Sequence, residues 1–247
     1  MSDEFTSQHG RRIAYDLSEG AGPGVVFLGG FKSDRHGTKA LHLEAWGKAQ
    51  GRAFLRFDYS GHGDSGGAFE DGCIGDWAAD AQAAIETLTK GPQVLVGSSM
   101  GGWIALLIAR ARPDLVAGLV GIAAAPDFTE DSIWAGLDSD GRAALEQVGR
   151  IEEISEYGPD PYVYTRRLIM DGREQLVLRN PLPLPFPVRL LQGTADADVD
   201  QSVALRLLDH AIGDDIRLTL VKGADHRFSS PSELQMIEQA IGNILVG

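Results

Sequence analysis

Cysteine is nearly absent from this chain. Cys73 is the only one among 247 residues, so no intrachain disulfide can form and the cysteine-rich zinc sites are excluded. Positive charge is scarce as well: 22 Lys and Arg stand against 35 Asp and Glu, a formal net charge of −13. Nucleic-acid backbones and anionic membrane surfaces recruit proteins through a positive field that this balance does not supply, so neither is expected as a partner. Long apolar runs are missing too. The longest, Leu115 to Ala125, is broken by Gly118 and Gly121 and falls short of the roughly 18 residues a membrane span needs. The opening Met1 Ser2 Asp3 Glu4 Phe5 has two acids and no basic-then-apolar pattern, which points away from a signal or transit peptide and toward a cytoplasmic location.

What is present is an ordinary globular composition, 43% hydrophobic, in a chain long enough to bury a large core. Short apolar runs bounded by Gly, Pro and Asp alternate with segments of helical period, the pattern of a mostly parallel sheet with crossover helices. Val25 to Leu28, Ala53 to Phe57, Val94 to Val96, Val116 to Ile122 and Val188 to Leu191 read as strands buried on both faces. Ile216 to Val221 alternates more and reads as a sixth. Helices are expected over Lys39–Gln50, Ile74–Lys90, Met100–Arg112, Gln201–Ile212 and Pro231–Leu245, the last with Ser230 as N-cap and proline at its first position. Phe5 to Leu17, with His9 Gly10 at its middle, reads as an antiparallel hairpin. The rhythm breaks between about Asp127 and Pro187, where charged helical segments carry Trp134, Tyr157, Tyr162 and Tyr164 and end in a proline-rich run. The expected organisation is a core of residues 1–126 and 187–247 with a cap insertion over 127–186.

The most informative string is Gly97 Ser98 Ser99 Met100 Gly101, a G-x-S-x-G placed between an expected strand and an expected helix. Such a turn is so tight that the residues flanking the serine must be tiny, while the serine hydroxyl projects above the sheet. The following helix points its N-terminus at that hydroxyl, so the Met100 N–H is placed to stabilise an oxyanion. A serine needs a base. Of six histidines, His9, His36, His42 and His62 precede Ser99 and His210 sits on a helix; His226 hangs in a loop after a strand, where the base belongs. For the acid, Asp196 lies three residues past Gly193 after the strand Val188 to Leu191, with Asp198 as its competitor, Asp127 as a further position and Asp200 as an expected helix N-cap. The loop Gly29 Gly30 Phe31 Lys32 Ser33 offers the second oxyanion donor, Phe31 first and Gly30 next, with the Phe31 ring against the acyl site. Gly30 and Trp103 are candidate substrate-binding positions.

Gly61 His62 Gly63 Asp64 Ser65 Gly66 matches G-x-G-x-x-G after a strand, with Glu86 twenty residues on. A dinucleotide fingerprint must open a helix at its last glycine, and here the sequence continues as loop, so no cofactor is expected. Cys73 reads as a structural thiol, and the histidines show no metal-ligand spacing.

With these residues in hand the sequence resembles the α/β-hydrolases over nearly its whole length. The carrying motifs are Arg11 Arg12 Ile13 Ala14 Tyr15, Gly29 Gly30 Phe31, Asp58 to Ser65, the Ser99 string, Gln192 Gly193 Thr194 Ala195 Asp196 and Gly223 Ala224 Asp225 His226. Within that superfamily, Arg56 to Gly61, Gly97 to Trp103, Val188 to Leu191 and Asp225 His226 Arg227 are similar to the palmitoyl-protein thioesterase and acyl-glucuronide esterase branch of the abhydrolase-domain family. The resemblance implies a triad of Ser99, Asp196 and His226, oxyanion donors at Phe31 and Met100, and a helical cap.

The expected chemistry is cleavage of a small-molecule or acyl-protein ester or thioester through an acyl-enzyme, with no metal or organic cofactor. The cap segment holds twelve Asp and Glu against six Arg, which disfavours a polyanionic substrate such as an acyl-CoA unless Arg166 and Arg167 reverse the sign locally. Carbon–carbon bond hydrolysis on the same triad and a ligand-binding homologue without turnover are the alternatives.

Overall fold

The structure, a computed structural model, describes residues 3–154 and 161–246; Tyr157 of the expected cap lies outside the described residues. The chain opens with β1 (Asp3–Thr6) and β2 (Arg12–Ser18), paired antiparallel with Phe5 opposite Ile13. Strand and helix then alternate through β3 (Ala21–Leu28), α1 (Thr38–Ala49), β4 (Arg52–Phe57), α2 (Ile74–Leu88), β5 (Gln93–Ser98), α3 (Met100–Ala111) and β6 (Val116–Ile122). An excursion follows, with α4 (Ser139–Val148), β7 (Arg150–Glu153), β8 (Tyr162–Thr165), α5 (Arg166–Glu174) and β9 (Leu182–Pro183). The chain returns as β10 (Val188–Gly193), α6 (Gln201–His210), β11 (Ala211–Ile212), β12 (Ile216–Val221) and α7 (Pro231–Leu245).

Eight strands form one sheet in the order β1-β2-β4-β3-β5-β6-β10-β12, parallel from β4 to β12. The inner strands are apolar runs because both of their faces are covered. Side chains on β3 alternate between two layers: Val25 and Phe27 join the core beneath α1 and α7, while Val26 and Leu28 join the core beneath α2 and α3. From β3 the chain steps to β4 on one side, then returns past β3 to β5 on the other. With right-handed crossovers, that reversal sends α1 and α2 to opposite faces and opens a crevice between the carboxyl ends of β3 and β5. The Gly29 loop and Ser99 sit at that crevice.

Most expected elements are present, and α7 starts as its sequence indicates: Ser230 Oγ accepts from the Glu233 N–H while the Glu233 carboxylate accepts from the Ser230 N–H, with Pro231 at the first helical position. Two elements differ. The helix expected to reach Ile212 stops at His210, because Ala211 and Ile212 pair in parallel with Leu182 and Pro183. Inside the segment read as helical, β7 and β8 form an antiparallel pair, with Arg150 opposite Thr165; strands of four residues among charged neighbours carry too little periodicity to be read. Among the described residues no helix is long and apolar enough to cross a membrane.

A buried polar cluster ties α1 to the sheet. Glu44 accepts from Arg56 Nε at 2.8 Å, from Ser18 Oγ at 2.7 Å and from Lys48 Nζ at 2.9 Å. Burial alone would raise its pKa, but these three donors outweigh burial and bring it down to about 2. A carboxylate depressed on folding contributes stability that is complete above the ordinary glutamate range and is lost as the pH falls through about 2. Glu44→Gln is therefore expected to lower unfolding free energy at pH 7 by about 2–4 kcal/mol. Urea denaturation should show the deficit shrinking as the pH is lowered from 5 toward about 3.

Candidate active site

The change from β5 to α3 takes place at a single residue. Ser99 stands at φ 54° and ψ −119°, a left-handed position that costs a non-glycine residue roughly 1–3 kcal/mol and persists only where the surroundings impose it. They do so here through the backbone. Ser99 N–H donates to the Ile122 carbonyl at 2.9 Å, and the Ser99 carbonyl accepts from Gly102 N at 2.9 Å and Ala125 N at 3.1 Å. The motif glycines are required by sterics: a Cβ on Gly97 would run into the Gly101 carbonyl, and one on Gly101 into the Leu28 carbonyl. Met100, the first residue of a 12-residue helix, has an N–H with no acceptor inside that helix.

Ser99, His226 and Asp196 come together from loops 127 and 30 residues apart in sequence. His226 Nε2 lies 3.1 Å from Ser99 Oγ, and His226 Nδ1 lies 2.9 Å and 3.1 Å from the two oxygens of Asp196. The Asp196 side chain is fully buried. Burial would raise its pKa, but hydrogen bonds from His226, the Val199 N–H and Gln192, with the charge on His226, hold the carboxyl below the ordinary aspartate range. Asp196 Oδ1 also accepts from the Asp198 N–H at 3.0 Å. Asp198, the competing acid, is exposed and lines the cavity. The ligand atoms of Asp196, Asp198 and His226 all lie within 4.8 Å of one another. A cation there would have to displace N–H donors from Asp196, so the donor set suits a buried carboxylate–imidazole pair better than a metal centre.

Gln192 was not singled out by sequence reasoning. Its amide nitrogen faces three acceptors: Asp196 Oδ2 at 2.9 Å, the Val199 carbonyl at 2.9 Å and the Gly193 carbonyl at 3.3 Å. Acceptors alone on that side fix the amide orientation. Gln192 Oε1 is buried with no partner among the described residues. The available signal was a polar residue inside Val188 to Gly193, a strand buried along its whole length.

The other sequence candidates have structural partners. Asp127 is completely buried and accepts from Val177 N at 2.8 Å and Leu178 N at 3.0 Å, tying the excursion to the core; burial pushes its carboxyl up despite these bonds. Asp200 caps α6 by accepting from Ser202 N at 2.8 Å. His42 meets Glu238 at 2.6 Å, and His210 meets the Asn180 carbonyl at 2.7 Å. After Gly66 the chain forms a 3-10 turn over Phe69–Asp71, and α2 begins only at Ile74, so no helix opens at the last glycine of the string.

A cavity of about 1100 Å³ opens above Ser99, Met100 and His226. Its apolar wall is built from Phe31, Phe128, Ile133, Leu137, Tyr162 and Tyr164. Gly30 touches the nucleophile turn, since a Cβ built on it would lie 3.5 Å from Ser99 Cβ. The Phe31 ring is a hub, with centroids of Phe69, Trp77, Phe128, Tyr162 and Tyr164 at 4.8, 5.9, 5.9, 5.8 and 5.7 Å. Trp103 corrects an expectation. It does not line the cavity; it is completely buried, donates its indole N–H to the Gln175 carbonyl at 3.2 Å and packs on Phe128. It packs into the core beneath α2 and α3, and of the residues of α3 only Met100 lines the cavity.

Comparison with known proteins gives consistent matches. The family model described as serine aminopeptidase S33 matches residues 24–151. The mitochondrial palmitoyl-protein thioesterase ABHD10 of Bos taurus is 35% identical over 234 residues, spanning 94% of this chain and 76% of that protein. A crystal structure from Agrobacterium vitis S4 superposes with a TM-score of 0.93 at 42% identity, covering 99% of this chain and 98% of that one. Alpha/beta hydrolase domain-containing protein 10 from mouse superposes with a TM-score of 0.91 at 31% identity, covering 99% and 98%.

The steric account of the turn is testable without substrate. Gly101→Ala is expected to lower the melting temperature by several degrees, on the order of 3 kcal/mol, or to prevent accumulation of folded protein. Gly242→Ala, where a Cβ on α7 meets nothing within 4 Å, should be neutral or slightly stabilising in the same thermal denaturation.

Proposed function

The chain belongs to the serine aminopeptidase S33 family of α/β-hydrolases, and from that membership we propose that it is a serine hydrolase cleaving ester or thioester bonds of apolar acyl groups. One observation supports this above all: a 3.1 Å contact between Ser99 Oγ and an imidazole whose other nitrogen meets a buried carboxylate at 2.9 Å, beneath an apolar wall.

Ser99 Oγ attacks the acyl carbonyl while His226 Nε2 takes its proton. Asp196 keeps the proton of the resting imidazole on Nδ1 and offsets the charge of the imidazolium. The tetrahedral oxyanion is received by the N–H groups of Met100 and Phe31, the first aided by the N-terminal end of α3. His226 returns its proton to the leaving oxygen or sulfur, and water activated by the same imidazole then releases the acyl group from Ser99. None of these steps needs a metal or organic cofactor.

The specificity reading follows from the walls. Residues 127–186 act as a cap over a core of 1–126 and 187–247, and the acyl chain lies against Phe128, Ile133 and Leu137, which the cap supplies. The bovine relative's name gives palmitoyl-protein thioesterase activity, and an acyl thioester, on a protein or a small molecule, fits the same apolar wall. A cytoplasmic location belongs to this reading, whereas the bovine and human thioesterases are named mitochondrial; fractionation of cells expressing the native gene separates the two.

A screen of acyl chain lengths in ester and thioester form tests the proposal. Wild-type protein should turn over apolar acyl substrates. Ser99→Ala should lose nearly all turnover and all labelling by a fluorophosphonate, and Asp196→Asn should lower kcat by about three to four powers of ten. Turnover surviving in Ser99→Ala overturns the mechanism. Ligand affinity without turnover favours the binding-protein alternative, and cleavage of a carbon–carbon substrate alone favours the other hydrolase reading.

A further inference from the structure

No helix opens at the last glycine of the string Gly61 to Gly66, and hydrolysis as proposed gives its histidine no part. Yet His62 is only 3% exposed and reaches across to the Gly29 loop. Lys32 N–H, the amide that follows Phe31, donates to His62 Nε2 at 3.3 Å. We propose that His62 is a positioning residue for the oxyanion loop: by accepting the Lys32 N–H it holds the Phe31–Lys32 peptide in the orientation that keeps the Phe31 N–H on the oxyanion. This rests on the reading of Phe31 as a donor.

Four observations carry it. Lys32 stands at φ 58°, a left-handed position that a lysine leaves unless something holds it. His62 Nδ1 lies 3.2 Å from the Ser60 carbonyl. A carbonyl can only accept, so the imidazole proton sits on Nδ1 and Nε2 is a bare acceptor. That carbonyl is itself fixed by the Trp77 indole N–H at 3.0 Å. Burial pushes the imidazole's pKa down, against the Ser60 carbonyl and the charges of Asp58 and Asp80, and so keeps the neutral tautomer that the Lys32 N–H requires. Finally, His62 packs edge-on against Phe69 and Trp77 at 5.0 and 5.1 Å, the rings on which Phe31 rests from the other side. The far end of the same loop is fastened independently, where Arg35 N–H donates to Asp58 Oδ1 at 2.6 Å. Removing the acceptor at residue 62 therefore takes from the Phe31–Lys32 peptide its hold on Lys32 N–H, while the Ser33 bonds to the Gly30 carbonyl and the Arg35 anchor stay.

The experiment compares wild type, His62→Leu, His62→Gln and Ser99→Ala. It measures kcat and KM on a short-chain p-nitrophenyl ester and hydrogen exchange of the Lys32 amide by ¹⁵N NMR. Loss of one full oxyanion donor costs about a hundredfold to a thousandfold, so a loosened donor in His62→Leu should cost kcat about tenfold to a hundredfold, with KM changed by less than about threefold. The Lys32 amide should exchange at least about tenfold faster in His62→Leu. His62→Gln, whose carboxamide oxygen can accept the same N–H, should regain most of both. A folded His62→Leu with kcat within about twofold of wild type, or with Lys32 exchange unchanged, overturns the proposal. If His62→Leu does not fold, His62→Gln decides alone: near wild-type kcat and Lys32 protection support the role, and loss of either overturns it. Absence of Ser99-dependent turnover in wild type would instead sink the hydrolase reading, while Lys32 exchange still decides whether His62 holds the loop.

Discussion

The whole arrangement depends on how closely β5 and α3 approach the carboxyl end of β3. Gly101 sits against the Leu28 carbonyl with no room for a Cβ, Gly97 sits against Gly101, and the Ser99 N–H is held by the Ile122 carbonyl of β6. Three neighbouring strands are thereby locked at one level, and every loop that leaves them starts from a known height. The Gly29 loop, Ser99, the Asp196 loop and the His226 loop all rise from the same end of the sheet because their strands run parallel. Parallel pairing supplies the common edge, and the absence of side chains at Gly97 and Gly101 sets the spacing.

Strain and incomplete pairing occur at that edge. Ser99 and Lys32 occupy left-handed backbone, and the Gln192 oxygen is buried without a partner among the described residues. Each feature costs stability, and each sits beside a group with a proposed part in the chemistry, whether the nucleophile, the oxyanion loop or the carboxylate on the base. Away from the site Glu44 has three donors and Asp127 two backbone amides, while Thr129 Oγ1 and Arg189 Nε are buried without a partner among the described residues. Stability contributed by the rest of the molecule offsets what the site gives up.

The excursion between β6 and β10 is joined to the site by aromatic packing. Phe31 touches Phe69 and Trp77 on the core side and Phe128, Tyr162 and Tyr164 on the other. The ring next to the proposed oxyanion donor is thus also one of the contacts between the two parts of the chain.

Much of this was legible in the residues themselves. Strands buried on both faces announce themselves as apolar runs, the start of α7 is spelled by Ser230, Pro231 and Glu233, and the Ser99 turn is legible because the two glycines that leave it room lie two positions on either side of the serine. His226 and Asp196 could be ranked by their place after strands. Three things were not legible. The 2.9 Å contact of Asp196 with His226 Nδ1 depends on how two loops fold, Trp103 is removed from the cavity wall by the rotation of α3, and His62 becomes a partner of Lys32 because two loops from neighbouring strands converge. Sequence determines what depends on close chain neighbours: periodicity, capping and the room a turn allows. Only the tertiary structure decides which distant polar atoms meet, because a hydrogen bond requires an approach within about 3 Å that strand order and loop convergence set together.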